Sequence, residues 1–345
     1  MAECAWQRSG RIDRGSVGDA VQARRYSTVS SVIGGHALAR DAARGRAKSL
    51  DDVVGNSRRD SRAHARRWTP SGGTGQALSV SDDWALLADP FVEGAYATVK
   101  GRVRTHVVHH QLLAHLPPPP AAVLDVGGGA GHQSRPLARL GYDVTLVDSS
   151  PAMLEKADEL LHREPAEVRA RVVLVEGRGE EAPTLTGARR FDAVLCHGVL
   201  MYVADPAPLL GALCACARGG GLVSIVALNA RTMAVRPAME GRFTDALAGL
   251  DARAEIGVLG LETRADTPEE LSEILAGHAT RQEAWYGVWL FSDLLELAGR
   301  AVPDGDLAAV AALESLAARR DPYRQLSRLF HVLGRREGPQ GAPER

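Results

Sequence analysis

Residues 124–131 read Leu-Asp-Val-Gly-Gly-Gly-Ala-Gly, and no other stretch restricts the fold as much. An apolar run, AAVLDV (121–126), leads into it as a short buried strand, and a helical segment follows it to Gly141. Glycines at Gly127 and Gly129 allow the left-handed backbone of a tight strand-to-helix turn and let a ligand approach the main chain. In doubly wound sheets such a turn stands at the carboxyl edge of the strands, where ligands bind. Counting from Gly127, the third glycine of a dinucleotide fingerprint would fall at His132, so the spacing here is G-x-G-x-G instead. No Lys-Ser/Thr pair follows, which excludes a P-loop.

Strands and helices alternate around the turn. YDVTLVD (142–148), RVVLVEG (171–177), FDAVLCHG (191–198) and GLVSIVAL (221–228) are the further strands. SPAMLEKADELLHR (150–163), with Ser150 as N-cap and Pro151 at the first helical position, and PAPLLGALCACA (206–217) are helices between them. Such alternation implies right-handed crossovers and a parallel sheet. Upstream, Val103, Val107, Leu112 and Leu116 form a helical stripe that the prolines of 117–120 end. Downstream, Thr267 and Glu270 predict a capping box over 266–277, and RLFHVLGRR (328–336) is the last apolar strand. Residues 229–265 lack a clear αβ unit and are expected to form a small cap over the strand ends.

Composition separates the first 79 residues from the rest. They hold fourteen Lys/Arg against seven Asp/Glu and no sustained period of 2 or 3.6, which predicts a disordered basic segment. Val80 is a plausible alternative start. The remainder, residues 80–345, holds 27 basic against 35 acidic residues and so exerts no overall pull on a polyanion. No run of 18 apolar residues predicts a membrane span. Cys214 and Cys216 fall in an Ala/Leu-rich helix and, with Cys4 and Cys196, make no metal or disulfide framework. Free thiols fit a reducing cytoplasm.

The acidic residue two before the first glycine, Asp125, with the G-x-G-x-G spacing, resembles motif I of class I S-adenosylmethionine-dependent methyltransferases. Asp148 ends the second strand, 21 residues after Gly127, where a carboxylate can accept from both ribose hydroxyls. EGRGEE (176–181), FDAVLCHGVLMYVADP (191–206) and RGGGLVSI (218–225) match further motifs of these enzymes. The resemblance implies an α/β, Rossmann-like, doubly wound seven-stranded sheet, with S-adenosyl-L-methionine as cofactor. AYATVKGRVR (95–104), LNARTMAVRPAMEGRF (228–243) and ARRDPYRQLSRLFHVLGRR (318–336) resemble the bacterial tRNA 5-carboxymethoxyuridine methyltransferase family, which esterifies the carboxylate of a modified wobble uridine.

By that resemblance Arg104 touches the cofactor carboxylate, and Gly127, Gly128, Gly129, Asp125, Asp148, Gly179, Glu180 and His197 complete the cofactor site. A carboxylate acceptor is already deprotonated near pH 7 and needs no general base, so arginines that hold an anion are the catalytic requirement. Arg231, Arg242, Arg319 and Arg324 are available; Tyr202 and Tyr323 are candidates to line the acceptor pocket, and His197 is a candidate base for a neutral acceptor. The stretch 246–266 is acidic and apolar, which suits a small-molecule pocket better than RNA phosphates. The acceptor is therefore tRNA or a small metabolite. The alternative of another class is a non-catalytic protein that keeps the cofactor fold. Oligomeric state is not readable from the sequence.

Overall fold

The computed structural model describes residues 96, 98–187, 189–257, 261–302 and 304–338. The expectations for residues 1–79 and for Cys4 lie outside the described residues. Helix α1 (Val99–Leu113) precedes β1 (Ala122–Val126), α2 (Ser134–Arg139), β2 (Asp143–Asp148), α3 (Pro151–Leu161), β3 (Val172–Glu176), β4 (Phe191–His197), α4 (Pro206–Cys216) and β5 (Ala217–Leu228). Then come α5 (Val235–Met239), α6 (Phe243–Gly249) and a hairpin of β6 (Ala254–Ile256) and β7 (Glu262–Arg264). The chain closes with α7 (Pro268–Gly277), β8 (Thr280–Val288), α8 (Phe291–Leu297), α9 (Leu307–Ala317) and β9 (Leu329–Arg336).

The main sheet has seven strands in the order β3-β2-β1-β4-β5-β9-β8, the doubly wound arrangement read from the sequence. Strands β1 to β5 are parallel; β9 runs antiparallel to β5 and to β8, so that β8 at the far side again points the way of β1 to β5. The order reverses at β1, which places the carboxyl ends of β1 and β4 at the switch point where such sheets bind ligands.

Apolar clusters cover both faces. On one, Leu209, Leu210 and Leu213 of α4 and Leu271 and Leu275 of α7 pack against Val126, Val194 and Phe330. On the other, Leu112 of α1 and Leu137 of α2 pack against Val123, Leu195 and Leu222. A third cluster joins Met233, just before α5, and Ala265, just after β7, to Leu228 and Leu329 at the strand ends. Helix α1 buries Val103, Val107 and Leu112, three of the four stripe positions. The capping box on α7 forms as expected: Thr267 Oγ1 accepts from the Glu270 N–H at 3.3 Å, and Glu270 Oε2 accepts from the Thr267 N–H at 2.8 Å. Cys196, Cys214 and Cys216 are buried free thiols.

Two local expectations change. The turn expected at Arg218-Gly219-Gly220 does not stand outside β5 but is taken into it. Phe191 pairs with Ala217, and the next partners are Ala193 and Leu222, so the glycines bulge out of register, with Gly220 at φ +76°. Strand β8 has no counterpart in the sequence reading. A register shift between Gln282 and Ala284 breaks its alternation, which hides the period of two that marks a strand.

Candidate functional site

The loop after β1 is shaped by its own neighbours. Gly127 (φ +66°), Gly129 (φ +53°) and Gly131 (φ +74°) take the left-handed backbone. A Cβ at Gly127 would lie 2.3 Å from Val199 Cγ2, and one at Gly128 2.6 Å from Leu146 Cγ. Side chains are thus excluded there by the fold's own packing, which modifies the expectation that a ligand alone demands the glycines. At Gly129 and Gly131 a Cβ would meet only ordinary contacts, with Met153 Sδ at 3.9 Å and Leu146 Cδ1 at 3.5 Å as the nearest neighbours.

Below the loop, Asp125 is buried and accepts from Ser134 Oγ at 2.7 Å. Burial pushes its carboxyl up to about 6, against the hydrogen bond from Ser134 and with help from the nearby Asp148 carboxylate. Asp148 stands at the tip of β2. Its Oδ2 accepts from the Gly129 N–H at 2.8 Å and its Oδ1 from the Ser150 N–H at 2.9 Å. Burial raises its carboxyl too, and these two bonds oppose the rise. Each oxygen keeps a second lone pair, so the fixed carboxylate can still accept from two hydroxyls.

A narrow crevice opens beside the loop. Arg104, Thr105 and Val108 of α1, Asp125, Gly127, Gly128, His132, Gln133 and His197 line it, together with Tyr96. Arg104 donates from Nη1 to the Tyr96 hydroxyl at 2.9 Å, and its guanidinium lies 5.4 Å from the Tyr96 ring centre and 5.7 Å from that of Trp289. His132 stacks on Tyr96 with centroids 3.8 Å apart, and burial lowers its imidazole to about 4. His197 at the end of β4 bonds through Nε2 to Ser224 Oγ at 2.8 Å. Among the described residues, two buried nitrogens in this lining have no partner, Arg104 Nε and His197 Nδ1.

The structure thus brings Arg104, Asp125, Gly127, Gly128 and His197 to one crevice; Gly129, in the same loop, and Asp148, hydrogen-bonded to it, are not among its lining residues. Gly179 and Glu180 sit on a single turn after β3; a Cβ at Gly179 would be 2.8 Å from Val126 Cγ1, so the turn abuts the end of β1. Tyr202 follows β4, near Tyr96 and Arg104, and burial drives its phenol up to about 12. The residues fit the expected cofactor. A zwitterionic amino-acid group would satisfy the two orphaned nitrogens, and Asp148 has lone pairs left for sugar hydroxyls.

The other candidates do not reach this crevice. Arg231 pairs with Glu269 at 2.5 Å and Gln325 at 2.6 Å; Arg324 pairs with Asp321 at 2.7 Å and lies over Trp285 at 4.2 Å. Arg242 is held by Glu240 and Asp245. Arg319 lies over Tyr286 at 5.5 Å, and Tyr323 is exposed beside Phe291. A second, shallow crevice that the sequence does not announce is lined by Thr232, Val235, Arg236, Trp289, Asp293 and Arg328 among others. Arg236 meets Asp293 at 3.1 Å, Arg328 pairs with Glu255, and Arg328 Nη1 is buried without a partner. Trp289 borders both Arg104 and this second crevice. Arg236 and Arg328 lie inside the flanking segments already singled out, but nothing in their spacing separates them from the neighbouring arginines. Among the described residues, no group of three His, Cys, Asp or Glu side chains could hold a metal ion, and no helix is long and apolar enough to cross a membrane.

Residues 124–225 match the family described as Methyltransferase domain. The tRNA 5-carboxymethoxyuridine methyltransferase of Escherichia coli (strain K12) is 26% identical over 258 residues, which cover 72% of this chain and 94% of that protein. The ubiquinone biosynthesis O-methyltransferase of Methylocella silvestris is 37% identical over 107 residues, covering 31% of this chain and 40% of that protein. In structure, a chain from the complex between the Haloferax volcanii Trm112 methyltransferase activator and a methyltransferase superposes with a TM-score of 0.51 at 16% identity, over 76% of this chain and all of that one. That likeness concerns the fold.

Proposed function

The chain is an S-adenosylmethionine-dependent methyltransferase of the class I fold, and from that premise we propose that it esterifies a carboxylate, borne by a modified wobble uridine of tRNA. The observation that carries the reading is Arg328, whose Nη1 is buried and unpartnered in a crevice shared with Arg236 and Trp289. A fixed guanidinium N–H suits a carboxylate oxygen, and the indole face suits a base. The resemblance to the tRNA enzyme supports it because that alignment covers 72% of this chain and 94% of that protein, against 31% and 40% for the ubiquinone enzyme.

Arg104, Asp148 and His197 hold the cofactor in this reading, and the cofactor supplies an electrophilic methyl group. The 229–265 segment serves as a cap over the acceptor. An acceptor carboxylate is itself the nucleophile, so the protein's part is alignment, for which effective molarities correspond to about 7–11 kcal/mol. A second reading, a small carboxylic acid, is favoured by one observation: in and around the cap, Arg231, Arg242, Arg253 and Arg264 are each engaged by carboxylates and offer little to RNA phosphates.

The test is transfer of labelled methyl groups to tRNA from cells lacking this protein. The proposal expects label in a nucleoside, lost if the tRNA is digested before the reaction, and released by mild alkali as an ester must be. Labelled product from RNase-treated extract would move the assignment to the small acid. Alkali-stable label would exclude a carboxylate altogether.

A further inference from the structure

Behind His197 lies a buried chain of hydrogen bonds that crosses the sheet. His197 Nε2 meets Ser224 Oγ at 2.8 Å, Ser224 Oγ meets His331 Nε2 at 2.7 Å, and His331 Nδ1 meets Gln111 Oε1 at 2.8 Å. Gln111 Nε2 donates to the Gly287 carbonyl at 3.2 Å. The four side chains come from β4, β5, β9 and α1, and Gln111, Ser224 and His331 are buried.

The direction of every bond follows from one end. A backbone carbonyl only accepts, so the amide NH₂ of Gln111 is fixed toward Gly287 and its oxygen toward His331. His331 Nδ1 must then carry the proton. Its imidazole is neutral: burial lowers it to about 3, and His115 and Arg104 act in the same direction. A neutral ring protonated at Nδ1 has a bare Nε2, which accepts from the Ser224 hydroxyl. That leaves a Ser224 lone pair to accept, so His197 donates from Nε2. Burial, with His331 and Arg104, keeps His197 neutral as well. Its Nδ1, the enclosed nitrogen without a partner, is therefore a lone pair.

We propose that Gln111, His331 and Ser224 are positioning residues that hold His197 in the Nε2–H tautomer, so that Nδ1 receives a hydrogen-bond donor from the bound ligand. The complementary donor is an ammonium group, matched to a carboxylate at the neighbouring Arg104. The cofactor's α-amino-acid end carries both. The relay does not depend on which acceptor is methylated, so its failure is separate from failure of the carboxylate reading.

The test uses the full chain labelled with ¹⁵N-histidine and two-bond ¹H–¹⁵N spectra without ligand, the His197 and His331 signals being assigned by their loss in His197→Gln and His331→Gln. Expected are two neutral rings, His331 protonated on Nδ1 and His197 on Nε2. A His197 proton on Nδ1, or an imidazolium at pH 7, would overturn the proposal. In Gln111→Leu and Ser224→Ala the His197 signal should shift toward the other tautomer, and S-adenosylhomocysteine affinity by calorimetry should fall about 10- to 100-fold, as for one hydrogen bond to a charged group. Folded variants with wild-type affinity and an unchanged His197 tautomer would overturn it too. If neither variant folds, the wild-type spectrum still decides.

Discussion

Asp125 offers a stability prediction whose sign is fixed by its surroundings. The side chain is 3% exposed, and among the described residues its one hydrogen bond is the 2.7 Å bond from Ser134 Oγ, while the Asp148 carboxylate adds repulsion. Its carboxyl rises from 3.8 to about 6 in the folded protein. Between those values the folded state binds more protons than the unfolded one, so stability falls as pH rises from about 4 to about 6 and stays reduced above that. A rise of about two pH units corresponds to about 3 kcal/mol. Asp125→Asn keeps the shape and the acceptor for Ser134 but has no charge to bury. It should therefore be about 3 kcal/mol more stable than the wild type at pH 7.5, and most of that gain should vanish at pH 4. Urea unfolding of both proteins at the two pH values measures this. A variant no more stable at pH 7.5, or a gain independent of pH, would refute the reasoning. Because Asp125 lines the cofactor crevice, binding of a sulfonium cation should also favour its charged form, and calorimetry near pH 6 in buffers of different ionisation heat should detect proton release.

Gly127→Ala should abolish S-adenosylhomocysteine binding and destabilise the fold, since its Cβ would meet Val199 Cγ2 at 2.3 Å in a left-handed backbone, whereas Gly129→Ala should cost only about 1–2 kcal/mol of backbone strain; calorimetry and urea unfolding separate the two. Asp148→Asn puts an amide N–H against the N–H of Gly129 or Ser150 and should weaken cofactor binding about 10- to 100-fold by calorimetry. Glu314→Gln should destabilise the chain by about 2–3 kcal/mol in urea, because the buried carboxylate accepts from the Leu290 N–H, the Ser292 N–H and the Ser292 hydroxyl, and an amide cannot serve all three. Arg328→Lys should raise the acceptor KM while leaving cofactor affinity unchanged, a split that steady-state kinetics with both substrates varied would show.

The parts of the molecule legible in the sequence are those whose causes are local. The strand-turn-helix at 121–141, the Asp148 strand tip and the Thr267–Glu270 capping box each follow from residues within a few positions of one another. Strand β8 was not legible, because a register shift disrupts its alternation. Nor was the distinction between arginines: Arg231, Arg242, Arg324 and Arg328 all find carboxylates, but among the described residues Arg328 also keeps a buried Nη1 without a partner, and sequence spacing records neither fact. The hydrogen-bond chain behind His197 joins residues 27, 107 and 220 positions apart, so no local pattern announces it.

The position of β9 bears on how the protein is made. This strand, near the end of the sequence, lies between β5 and β8 and pairs with both. Until the ribosome has released it, β5 has one open edge and β8 has nothing to join, so two of the seven strands must wait for it. A premature stop just before Leu329 would remove two strands' worth of pairing rather than one, and His331 with it.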